Sequence, residues 1–111
     1  MGSFDRRRPN FDKFRHWFIE EVNRHVAQKI DNPLVPWLEV GDREKREAII
    51  ESFMHFLESN FGFRPVINTK LSTMEGPLES VVIRIFHTFS TMLLVEHINQ
   101  KVLEEREKKL H

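Results

Sequence analysis

Cysteine is absent from all 111 residues of this chain, which excludes a disulfide framework, a thiol nucleophile and a thiolate zinc site. Small secreted domains usually depend on staples of that kind, so a reducing intracellular compartment, cytoplasmic or nuclear, is expected. The four glycines stand apart from one another, and none belongs to a phosphate-cradling loop ahead of a Lys-Ser/Thr pair. Charge of one sign is lacking too. Lys plus Arg and Asp plus Glu each number 17, so no global field draws the chain to a polyanion. No apolar run approaches the roughly 20 residues that span a bilayer, and charges occupy the N-terminus where a signal peptide needs an apolar stretch. A membrane partner is therefore not expected. Met1-Gly2 opens like a myristoylation motif, but Arg6 stands where that motif needs Ser or Thr.

What the chain does have is large flat rings. Ten Phe and two Trp supply the apolar surface of a domain with 40% hydrophobic and 31% charged residues, a composition that folds. The length suits one core. Residues 1–9 read as a flexible basic arm and 10–111 as a single, mainly α-helical domain: a small bundle of three principal helices with a long C-terminal one.

Phe11, Phe14, Phe18, Val22, His25 and Val26 recur at intervals of three and four and predict a first helix from about Asn10 to Lys29. Asn10 is its N-cap, and Asp31-Asn32-Pro33 its stop. From Asn32 to Gly41, Pro33 and Pro36 forbid a regular helix, while Leu34, Val35, Trp37, Leu38 and Val40 are too apolar for a solvent loop, so this stretch should pack on the core. Asp42 caps a second helix to about Asn60, with Ile49, Ile50, Phe53, Leu57 and Phe61 inward and Gly62 suited to a left-handed stop. Ser72 with Glu75 resembles a capping box, and Pro77 suits the first position of a last helix running to about Lys109. A competing reading forms a short β-hairpin over 64–86, because Val81-Val82-Ile83-Arg84-Ile85-Phe86 is rich in β-branched residues and could pair with Pro65 to Leu71.

Candidate chemistry is sparse. No two histidines lie three or four apart, so the two-ligand arrangement on one helical turn is missing. His25, on the apolar face of the first helix, is either a metal ligand or pH-sensitive group, or a core histidine with one satisfied nitrogen. Glu51 and Glu58 each lie within about one turn of His55, on either side of it, and the three either attract a metal or form a solvated acidic face paired with a cation such as Arg46. His16, His87 and His97 fall in no triad order with a carboxylate and a hydroxyl. No catalytic, cofactor or metal site is assigned, and the chain is expected not to be an enzyme.

The last helix carries the strongest signal. Over residues 77–109 it would be about 50 Å long at 1.5 Å per residue, more than a compact domain of this size is wide. Its apolar stripe through Leu78, Val82, Ile85, Phe89 and Met92 runs into Glu96 and Asn99, so the core should end near Leu93. A second set, Leu94, Val95, Ile98 and Val102, begins on another side at roughly the 3.5-residue spacing of a helix-helix seam. Either the chain's own first helix or Trp37 segment folds over it, or another molecule does. The expected function is a non-enzymatic protein-protein interaction or dimerisation module, in which a partner helix or a second copy (a homodimer) packs on these four residues; Trp37 and Trp17 are either its aromatic anchors or, respectively, a buried loop anchor and a ring packed at the core's edge. The alternative is a nucleic-acid adaptor using Arg6, Arg7, Arg8, Arg15 and Arg24 as a basic patch. The charged run Glu104 to Lys109 reads as a helix end leading toward a linker or coiled coil.

Overall fold

The computed structural model describes residues 10–27 and 29–110. It is mainly helical, with three helices, α1 (Phe11–His25), α2 (Arg43–Phe61) and α3 (Leu78–Leu110), and short 3-10 turns at Trp37–Glu39 and Leu71–Thr73. Both predicted N-caps form. The Asn10 side chain accepts from Lys13 N at 3.2 Å and Asp42 from Lys45 N at 2.8 Å. Gly62 ends α2 with a φ of 85°, a left-handed turn open to glycine at no steric cost.

α1 stops four residues before the expected Lys29, because the chain turns extended at Val26. The Asn23 side chain holds the return, accepting from Ile30 N at 2.6 Å and donating to Ile30 O at 3.1 Å. The hairpin over 64–86 does not form: residues 64–70 are irregular and α3 begins at Leu78. The β-branched run is helical because that geometry sets Val81, Val82 and Ile85 on one face with Leu78 and Phe89, all buried, and tertiary burial outweighs local strand preference.

Rings from every layer meet in the core. Phe14 lies 6.2 Å from Phe53 and 5.3 Å from Phe89 between centroids, and Phe18 lies 5.1 Å from Phe53. The proline-containing segment closes the bundle rather than looping into solvent. Its Pro33 and Val35 carbonyls accept from Glu79 N and Leu78 N, each at 2.8 Å, which satisfies two of the free amides at the start of α3. That role had been given to a Ser72–Glu75 box. Ser72 instead sits buried in the second 3-10 turn, and its hydroxyl donates to Glu47 Oε1 at 3.3 Å.

Arg46 ties these connections to α2. Its guanidinium is buried and donates to the carbonyls of Ser72 (2.8 Å), Leu38 (3.0 Å) and Gly41 (2.8 Å). Trp37 adds a second tie, its indole N–H donating to Leu71 O at 2.6 Å. Two loops distant in sequence are thereby fixed to one helix, and α3 is held at its N-terminal end.

Candidate helix-docking face

α3 has 33 residues, but the bundle grips only its first half. Buried positions end at Phe89, Met92 and Leu93 are half-buried, and every side chain described from Leu94 onward is exposed. Leu94, Val95, Ile98 and Val102 keep 60%, 51%, 50% and 44% of their surface in solvent. Successive helical residues turn by about 100°. On that basis Leu94 and Ile98 lie on the side of α3 opposite Leu78, Ile85 and Phe89, and Val95 and Val102 lie on the adjoining flank. Neither α1 nor the Trp37 segment covers them. Leu103 is also exposed, at 58%, but falls on the core-facing side beyond the end of the bundle.

The same outer side continues toward the start of α3 through Ser80, Arg84, His87 and Thr91, with Ile83 at its margin and 49% exposed. Seam spacing in the sequence carries the face from Leu94 back to Thr91 and no further. Counting every residue at the helical repeat would have joined the two stretches. Arg84 makes no ion pair among the described residues, and a shallow groove beside it is lined by Met74, Ser80, Ile83 and His87.

The two proposed aromatic anchors part company. Trp37 is fully buried, so it anchors its own loop and presents nothing to a partner; its apolar ring is worth more against Phe18, 6.0 Å away, than in water. Trp17 is half-buried on the other side of the bundle, 5.2 Å from Phe56, and does not join the α3 face.

The basic patch is likewise dispersed. Arg6, Arg7 and Arg8 lie outside the described residues. Arg15 is spent on Glu79 at 3.1 Å and Asp12 at 3.5 Å, and Arg24 on Glu21 at 2.9 Å, so carboxylates offset both charges on α1.

His25 is half-exposed and faces Glu21 Oε1 at 3.2 Å, while Ser52 Oγ donates to the same oxygen at 2.5 Å. The carboxylate stands between hydroxyl and imidazole, whereas a nucleophile needs the imidazole beside it. The Glu51, His55 and Glu58 group does not close on itself, and among the described residues no three such side chains gather where they could hold a metal. Glu51 turns to Arg64, not Arg46, in a two-bond pair. The hydrogen bond from Arg64 keeps the Glu51 carboxyl below the usual carboxylate range.

By length and composition α3 could cross a membrane, with a mean hydropathy of 1.5 over its most apolar window, a stretch the search for apolar runs had passed over. Of that window 28% is buried inside the bundle, whose core holds Leu78, Val81, Val82, Ile85 and Phe89. No family model, curated protein or solved structure matches the chain.

Proposed function

We propose that this chain is a non-enzymatic protein-protein interaction module, in which the projecting half of α3 offers Leu94, Val95, Ile98 and Val102 to another helix. One observation carries the reading. A run of four apolar side chains at seam spacing, each close to half exposed or more, continues past the end of the core and is left uncovered among the described residues. Burial of that surface favours association by roughly 25 cal/mol per Å² before the ordering costs of binding are subtracted. The nucleic-acid reading has less support, because Arg15 and Arg24 already have carboxylate partners.

A photo-crosslinking residue at position 98, in chain expressed in its source cells, tests the reading. It should form an adduct that is lost when Val95→Asp is added, whereas the same residue at position 107, on the core-facing side of the tail, should form none. Equal adducts at both positions, or none at 98, would remove the docking face.

A further inference from the structure

Resting on that reading, we infer that the occupant of the face is a second copy of this chain, its α3 running antiparallel to the first and crossing it between Val95 and Ile98.

The inference begins with length. A pair confined to the tail beyond Leu93 would bury roughly 400 Å² per chain, half of the ~800 Å² per partner found in stable complexes. The outer face of α3, however, does not begin at Leu94. It runs from Ser80 to Lys109, and all of Ile83, Arg84, His87 and Thr91 are exposed along the gripped half. If two copies lie antiparallel, each tail follows the gripped half of the other helix, the overlap spans about 30 residues, and the buried area roughly doubles.

The register follows from the apolar set. An antiparallel seam places residues whose numbers sum to about 193 across from each other when Val95 meets Ile98 of the second copy. Ile98 then meets Val95, Val102 meets Thr91, and Leu94 lies beside the aliphatic stem of Lys101. Val95 and Ile98 thus cover each other twice across the two-fold, while Val102 and Leu94 rest on Thr91 and the Lys101 stem, a self-complementary contact.

Charge selects the direction. In a parallel, in-register pair Arg84, Glu105 and Lys109 would each face their own copy, three like-charge layers on one seam. Reversed, Glu105 of the second copy sits across from His87 and Thr88 and within one turn of Arg84, a guanidinium with no ion-pair partner in its own chain among the described residues. Symmetry forms this contact twice. Lys109 lies directly across from Arg84 at each end of the seam, two like-charge layers against three in the parallel pair, both at solvated ends where salt screens them.

The missing cysteines make the test clean. Chains carrying Thr91→Cys or Val102→Cys should stay free of disulfide dimers when oxidised alone, because identical positions are then about 16 Å apart along the seam, and should cross-link when mixed. Sedimentation over a concentration series should show a reversible dimer for the native chain and a monomer for Ile98→Asp. Glu105→Arg should weaken the dimer several-fold, and Arg84→Glu added to it should restore association. Self-cross-linking of Val102→Cys would overturn the antiparallel register. A native chain monomeric at every concentration would overturn the second copy itself; an adduct at position 98 with a different protein would then leave the docking face standing, and no adduct at all would take both away.

Discussion

The two halves of α3 are built from similar residues and meet opposite fates. Val81, Val82, Ile85 and Phe89 in the first half are buried, while Val95, Ile98 and Val102 in the second are not. Local preference cannot tell them apart, since both halves are helical and both carry β-branched residues. What differs is the side they point to and what lies there. The first half faces α1 and α2, and the second runs past their ends, so its apolar stripe stays exposed. Apolar periodicity in a helix therefore reports that something packs on it without saying that the packing is within one chain.

The contrast breaks most visibly in stability. Phe89→Ala empties a site with Phe61, Phe63 and Phe14 at 4.6, 5.2 and 5.3 Å, and should cost about 3–5 kcal/mol in urea unfolding. Ile98→Ala, measured at a dilution where chains are apart, should stay within about 0.5 kcal/mol of the native value. Equal losses at the two positions would mean that the tail packs on its own chain, and the comparison would fail.

Arg46 sharpens the same point from the side of the loops. Its three carbonyl partners belong to the segments that close over α2, and one of those segments also caps α3. Arg46→Met keeps the aliphatic bulk and removes the donors, leaving carbonyls of Leu38, Gly41 and Ser72 to find water or go unpaired. A loss of about 2–3 kcal/mol is expected. Faster amide exchange should appear at Trp37, Leu78 and Glu79 while Val102 and its neighbours are unchanged. Exchange that rises equally along all of α3 would show that its two halves are one cooperative unit.

Much of this was legible in the residues. The three helices, both side-chain N-caps, the Gly62 stop and the change of face near Leu93 follow from period, capping chemistry and one count along the helix. The misses have a common origin in contacts between segments far apart in sequence. Trp37 reads as an interface residue because Trp is common there, and only the fold shows Phe18 and the Leu71 carbonyl waiting for it. Ser72 looks like a cap because a Glu stands three residues on, but the free amides of α3 are met by backbone carbonyls, which no side-chain motif announces. Arg46 looks like a surface cation, since nothing local marks three distant carbonyls as its partners. The proposed docking face was half legible: its apolar part showed in the spacing, and its polar part, Arg84 and His87, did not.

The smallest effect lies on α2, where Glu51 pairs with Arg64 at the start of the irregular 64–70 segment. Both side chains are largely exposed, so the pair is worth at most about 1 kcal/mol and less in salt. Its sign with pH is nevertheless fixed. Because the Arg64 hydrogen bond lowers the Glu51 carboxyl in the folded chain, its contribution is fully present above the ordinary carboxylate range and is lost as pH falls through the depressed folded value. Glu51→Gln should therefore lower stability slightly at pH 7 and not at all in strong acid, with the gap between the two chains closing as the carboxyl takes up its proton. The exchange of residues 94–110 should be untouched by the substitution at any pH. If it moved with the Glu51 charge, the loops gripping α2 and the free end of α3 would be coupled, and the division of the helix into a held and an offered half would have to be redrawn.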